Sequence, residues 1–391
     1  MKIFLKYTLI ASCVGFSLFL FTKITAHHNI AKQAIAPDTT ISLLFMGDIM
    51  QHQGQIEAAW YDSLHTYSYD SCFKFVAPII RQSDIAMANL EVTLGGKPYT
   101  GYPQFSAPDQ IVPALQRAGI DILGDANNHS CDRGKKGIER TLHILDSLNF
   151  THLGTYVDSA SRANTYPLIV HKNGFKLALL NYTYGTNGIP IPKPTIVNLI
   201  DTLQMKADLR RAKDSLPDQT IVFIHWGDEY QSHPNQFQQD VARICFQQGA
   251  DIIIGMHPHV IQKIERTHFP DSLGREVFIA YSLGNYISNQ RDRLKDGGLM
   301  IALTLTKTHN RTRISSCGYY LSWVYTPIEN GTKRFYILPL SQFEQQPRLL
   351  DTLSYQKMML YASDSRKLMK AESKGVSEYT FDVKTAVWRE Q

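Results

Sequence analysis

Two histidines one residue apart, His257 and His259, stand near the end of the stretch "ADIIIGMHPHVIQ" (250–262). Ahead of them Ile252, Ile253 and Ile254 run into Gly255, the pattern of a buried strand that stops at a glycine. Residues just past the carboxyl end of a strand are where open α/β sheets hold their ligands. Positions i and i+2 of an extended chain share a side, so both rings can converge on one point, and a metal ion is a chemistry that uses converging imidazoles. Taken alone, the pair also reads as two histidines on a surface loop.

Four other strand-like runs end in the same manner. Asp48 follows "LLFMG", Glu91 follows "AMANL", Asn128 and His129 follow "ILGDAN", and His225 follows "IVFI". Each run delivers a carboxylate, an amide or an imidazole, and none delivers a thiolate. Such a donor set suits a divalent catalytic ion (Mn, Fe, Zn or Mg) better than a closed structural zinc. One or two such ions are therefore expected as cofactors.

The elements that must position these residues are legible as alternation. Strand patterns recur at 41–47, 84–90, 120–126, 176–182, 220–226, 250–256, 276–282 and 298–306. Between them "IERTLHILDSLN" (138–149) places Ile138, Leu142, Leu145 and Leu148 at helical spacing, and "FQQDVARICFQQG" (237–249) does so with Phe237, Val241, Ile244 and Cys245. Strands alternating with helices predict a layered α/β domain. Residues 298–340 carry strand patterns almost without helix, so part of the sheet is expected to be antiparallel. A closing helix is predicted over 350–374.

The 391 residues carry a net charge of +5, with 43% hydrophobic and 19% charged content. This is an ordinary globular balance without Lys/Arg blocks, so no nucleic-acid partner is expected. The N-terminus differs. Lys2 and Lys6 precede an uncharged apolar run from Tyr7 to Thr22, followed by Lys23. This reads as a signal anchor, a single-pass transmembrane helix over residues 1–26 that leaves the main domain outside the cytoplasmic membrane. A cleaved signal peptide, giving a secreted or periplasmic protein, is the alternative. "IASC" (10–13) loosely resembles a lipoprotein cleavage site, but the apolar run continues to Thr22, where a lipobox would end it. A linker spans 27–40, the main domain 41–345 and a C-terminal helical extension 346–391. Cys72, Cys131, Cys245 and Cys317 are widely scattered and read as buried free thiols.

The motifs "LFMGDIM", "ANLEVTLGG", "DANNHSCDRGKKG", "IHWGDEY", "IGMHPHV" and "YSLGNYI" occur in this order across residues 43 to 287. In these the chain resembles the CapA-like family of bacterial capsule and poly-γ-glutamate synthesis proteins, whose domain is similar to calcineurin-like metallophosphoesterases. The resemblance implies a four-layer α/β/β/α sandwich with mixed sheets and a metal site at the strand ends. It implies Asp48, Glu91, Asn128, His225, His257 and His259 as metal ligands, with His129 acting on the leaving group. A phosphoesterase has histidine two residues after the first aspartate, where this chain has Met50; His52 is the candidate substitute ligand. Lys97 and Arg133 flank the motifs and are candidate substrate-binding cations, and Asp132, Asp228, Glu229 and Asn285 are candidates for orienting the histidines. The loop "YTGYPQFSAP" (99–108) reads as a pocket rim or as an ordinary packed loop. The implied function is a metal-dependent hydrolase or transferase of envelope polymer synthesis. Its substrate would be an anionic polymer or phosphoester, and its partners other capsule-synthesis membrane proteins. The alternative is a non-catalytic subunit of an assembly or export complex with a degenerate metal site.

Overall fold

The structure, a computed structural model, describes residues 38–270, 274–309 and 311–390. The expected anchor (1–26) and most of the linker lie outside the described residues. Among the described residues no helix is long and apolar enough to cross a membrane.

In chain order the main strands are β1 (Thr39–Ile49), β2 (Ile85–Leu90), β3 (Ile122–Gly124), β4 (Thr151–Leu153), β5 (Leu168–Lys172), β6 (Phe175–Thr183), β7 (Gln219–His225) and β8 (Ile252–Met256). They continue with β9 (Ile264–His268), β10 (Glu276–Ala280), β11 (Asn285–Ile287), β12 (Gly297–Thr308), β13 (Arg311–Tyr325), β14 (Tyr336–Pro339), β15 (Ser377–Asp382) and β16 (Val387–Glu390). The main helices are α1 (Gln53–Ala59), α2 (Ile111–Ala118), α3 (Gly134–Ser147), α4 (Thr202–Asp214), α5 (Gln236–Gln247) and α6 (Thr352–Glu372). A ten-stranded sheet runs β16-β15-β13-β12-β1-β2-β3-β4, with β11 and β14 pairing beside β1 and β13. A six-stranded sheet runs β9-β10-β8-β7-β6-β5. Both sheets are mixed: β1, β2, β3 and β4 are mutually parallel, whereas β12 runs antiparallel to β1 and β13.

Strand alternation builds the layers. Leu43 and Phe45 of β1 share a core with Ile221 and Phe223 of β7, and the Phe45 and Phe223 rings lie 6.4 Å apart. Leu44 and Met46, one residue out of phase, pack with Ile111 and Leu115 of α2 and Leu145 of α3. On the six-stranded sheet, Tyr182 of β6 donates its hydroxyl to Asp208 of α4 at 3.0 Å. Two sheets thus face each other, each with helices against it. Burying each of these Leu or Phe side chains contributes about 1.5–3 kcal/mol.

Two helix expectations need adjustment. Phe237, expected on the buried face of α5, is 46% exposed. Asn235 caps this helix and Gln238 completes the capping box, so Gln238 turns inward and donates to Gln262 at 2.8 Å. The C-terminal helix forms as α6, capped by Asp351. Residues beyond it then form β15 and β16, and β15 joins β13 in parallel. Arg366 of α6 ties this segment down through Glu344 and Glu378. The four described cysteines are buried free thiols.

Candidate metal centre

The ends of β1, β2, β7 and β8 meet at one buried point because the registers bring them level. Asp48 pairs with Asn89 of β2 and with Asn285 of β11. The close approach of β11 depends on Gly47, where a Cβ would fall 2.0 Å from the carbonyl oxygen of Gly284. His225 is the last residue of β7 and sits level with Met256, the last of β8. The chain then turns sharply: His257 and His259 have φ of 98° and 57°, a left-handed conformation that non-glycine residues adopt at a cost of about 1–3 kcal/mol. The Tyr230 backbone N–H fixes this turn by donating to the Pro258 carbonyl at 2.8 Å.

Two groups of ligand-type atoms result. Asp48, Glu91 and His225 offer atoms within 4.8 Å of one another, and so do Glu91, His257 and His259. Glu91 belongs to both. All five are buried, with Asp48, Glu91 and His225 fully so. Asp48 accepts from Asn89 Nδ2 at 2.8 Å, lies 3.2 Å from His259 Nδ1 and receives the His257 backbone N–H at 3.3 Å. Glu91 is different. Its Oε1 lies 3.4 Å from His225 Nε2 and 3.8 Å from His259 Nε2, yet neither carboxylate oxygen has a hydrogen-bond partner among the described residues. His257 Nδ1 is buried and unpartnered as well.

A buried carboxylate without a partner is strongly unfavourable unless a cation compensates it. The protonation tendencies agree. Burial, reinforced by the Asp48 carboxylate, pushes Glu91 well above the usual carboxylate range. Burial drives His225 down to about 3 and His257 well below its usual value. Burial also opposes the charge of Asp48, but the His259 hydrogen bond, the neighbouring imidazoles and Asn89 outweigh it and hold that pKa low. Neutral imidazoles around carboxylates are the state that metal coordination requires. The cluster therefore fits a divalent cation, and its oxygen and nitrogen donors leave the identity open among Mn, Fe, Zn and Mg.

The other expected residues divide. Asn128 joins the cluster, its Oδ1 accepting from His225 Nε2 at 2.8 Å. His129 is buried beside it, with Nδ1 2.7 Å from Asp132 Oδ2, which also receives the Phe105 backbone N–H at 2.7 Å. The Phe105 ring stands edge-on to His129 at 4.6 Å. His52 lies outside both ligand groups. It caps α1, and its Nδ1 faces Gln55 at 3.2 Å and the Asn289 backbone N–H at 3.4 Å. Met50 is buried in the apolar core behind β1 rather than turned to the cluster. Lys97 is exposed, and Arg133 donates back to the Pro98 carbonyl at 3.3 Å. Of the candidates for orienting a histidine, only Asp132 contacts a ring. Asp228 accepts from Asn235 at the start of α5, Glu229 is exposed, and Asn285 Nδ2 bonds the Lys295 carbonyl and Gln290.

Two contributors escaped sequence reading. Asn89 bonds Asp48 and lies 3.3 Å from His225 Nδ1; a polar residue inside the fully buried β2 was the available signal. Asn181 of β6 accepts from the Ala126 backbone N–H at 2.8 Å, steadying the loop that carries Asn128 and His129. The same loop is held by Asp125, which accepts from the Thr155 backbone N–H at 2.7 Å and lies 3.3 Å from His152 Nδ1. His152 Nε2 is 3.1 Å from Asp146. Burial lowers the His152 pKa, but the Asp125 and Asp146 carboxylates prevail and raise it to about 9. A folded-state pKa above the unfolded value means that this stabilisation is complete below about pH 6.5 and fades as pH rises through 9. Denaturant unfolding of wild type and His152→Asn should differ by about 2 kcal/mol at pH 6 and converge above pH 9. A constant difference across that range refutes the assignment.

The chain matches the family described as "Bacterial capsule synthesis protein PGA_cap" over residues 42–290. It is 27% identical to the "Capsule biosynthesis protein CapA" of Bacillus anthracis, over 88% of this chain and 77% of that protein. It is equally identical to the "PGA biosynthesis protein CapA" of Bacillus subtilis (strain 168), over 88% of this chain and 82% of that one. Among solved structures, the calcineurin-like phosphoesterase YfkN from Bacillus subtilis aligns with a TM-score of 0.42 and 14% identity, covering 83% of this chain and all of the other. The 5'-nucleotidase from Candida albicans SC5314 aligns at 0.38 and 13%, covering 85% and 58%.

Proposed function

The chain belongs to the bacterial capsule synthesis protein family PGA_cap, and from that premise we propose that it is a metal-dependent hydrolase or transferase of capsule or poly-γ-glutamate synthesis. One observation carries the reading: Glu91, buried and without a hydrogen bond, stands between two groups of ligand atoms. In this reading the domain is a four-layer sandwich of metallophosphoesterase type. The N-terminal segment anchors it to the membrane, with the domain on the outer side among other capsule-synthesis proteins. Its substrate is an anionic polymer or phosphoester.

Asp48, Glu91, Asn128, His225, His257 and His259 would hold the ion or ions. Bound there, a divalent cation supplies Lewis-acid polarisation of the scissile group. The remaining work falls to the chain. Asp132 fixes the His129 ring through Nδ1 and leaves Nε2 to pass a proton to the departing oxygen. Phe105 packs against the ring and limits its movement. The Tyr184 ring packs against His257 at 4.5 Å and stacks toward His225 at 6.5 Å, covering that part of the cluster.

One finding favours a second reading. Met50 lies in the core and His52 is held by Gln55, so one half of the cluster has no ligand from either position. A non-catalytic subunit that uses a single-ion site for binding fits that arrangement. Metal analysis comes first. After loading with Mn or Zn and desalting, the purified chain should retain about one to two equivalents. Retention below about 0.2 equivalents at micromolar protein defeats both readings, because a site this buried should hold its ion through desalting.

A further inference from the structure

One aromatic ring removed from His259 the chain places a cation that lies outside the residues matched in the motifs. Lys295 lies between β11 and β12, with Nζ 4.2 Å from the centre of the Tyr230 ring. The same ring tilts against His259, their centres 6.1 Å apart. Asn285 Nδ2 fastens the two sides, donating to the Lys295 carbonyl at 2.8 Å and approaching the His259 carbonyl at 3.4 Å. Gln290 Nε2 reaches the Tyr230 hydroxyl at 3.4 Å.

The backbone here is strained beyond the histidines themselves. Tyr230 and Leu294 have φ of 65° and 73°. Non-glycine residues adopt this conformation only at a cost, and strain of this kind concentrates where function over-determines geometry. Neither residue supplies an atom to the ligand groups. What they hold in place is the Tyr230 ring and the lysine that follows Leu294. The Lys295 side chain is 20% exposed, and its ion-pair partner Asp292, at 2.6 Å, is 81% exposed. A pair with one partner so exposed is weak, so the ammonium can exchange it for a ligand. The two cations expected from sequence do not fill this place, since Lys97 is exposed and Arg133 turns back to Pro98.

Resting on the reading of the buried cluster as a metal centre, we infer that Lys295, seated on Tyr230, forms an oxyanion subsite beside that centre and takes a phosphate or carboxylate group of the substrate. The ring contributes cation–π attraction that fixes the ammonium without neutralising it. The test titrates inorganic phosphate and, separately, glutarate into the Mn-loaded full chain by calorimetry, for wild type, Lys295→Gln and Lys295→Arg. Mn content is measured alongside. Affinity for at least one anion should fall about tenfold or more in Lys295→Gln and largely return in Lys295→Arg, with Mn content equal in all three. A loss confined to phosphate identifies a phosphoryl group, and one confined to glutarate a carboxylate. If the wild type holds Mn but binds neither anion, or binds both as tightly as Lys295→Gln does, the subsite is refuted while the metal centre stands. If the wild type holds no Mn, the metal reading falls and the subsite falls with it.

Discussion

Replacing His257 with alanine should reduce metal retention by at least about a hundredfold, since loss of even an outer-sphere partner costs 10–100-fold. His257 offers a buried Nδ1 with no hydrogen-bond partner, in a group whose other members are Glu91 and His259. No neighbouring imidazole replaces it, because His225 already faces Asn128 and Asp48, and His52 is engaged by Gln55. Stability should follow by mass action. An ion at a hundred times its dissociation constant stabilises the folded chain by about 2.7 kcal/mol, and a variant that cannot bind it gains nothing. Added Mn should therefore raise the wild-type Tm by several degrees and leave that of His257→Ala unmoved. The metal-free Tm values should lie close together, since an alanine at this left-handed position keeps the same backbone strain. His52→Ala should retain wild-type metal content. Calorimetry with elemental analysis decides the matter: a metal-linked rise in Tm that survives in His257→Ala removes this histidine from the ligand set.

Much of this arrangement was legible because strand ends carry two signals at once. The β-branched run of β8 and the glycine beside it announce a buried strand, and His257 and His259 beyond it announce a site. The same holds for Asp48, Glu91, Asn128 and His225, which the structure brings to one place. What remained hidden depends on register and packing between distant segments. Asn89 bonds Asp48 only because β1 and β2 pair with a shift between Phe45 and Asp48. Lys295 reaches the Tyr230 ring across a loop no periodicity describes. His52 sits four residues past Asp48, a plausible reach in sequence, but the helix that starts at Gln53 makes it a cap. Phe237 and Gln238 exchange places because capping chemistry overrides the apolar stripe at the first turn of α5. The strands β15 and β16 escaped notice because their residues alternate only partly between buried and exposed.

Replacing His129 should separate catalysis from binding. Its Nδ1 is engaged by Asp132 at 2.7 Å, and it is absent from both groups of ligand atoms. Metal content of His129→Ala should therefore match the wild type, as should the metal-linked rise in Tm. Turnover of a phosphodiester with a poor alkoxide leaving group should nonetheless fall about 10²–10⁴-fold, the usual contribution of a positioned general acid or base. Asp132→Asn tests the positioning. An amide in place of the carboxylate cannot offset the charge of the doubly protonated ring, the form that gives its Nε2 proton to the departing oxygen. The loss should then appear in kcat more than in KM. A substrate with a good leaving group needs little protonation, so the defect should shrink as the leaving-group pKa falls. A merely structural role for His129 would lower turnover equally for all leaving groups. Loss of metal from His129→Ala would instead make it a ligand. A wild type that binds metal but turns over neither phosphodiesters nor γ-glutamyl amides would favour the non-catalytic subunit, with Glu91 and the histidines retained to bind.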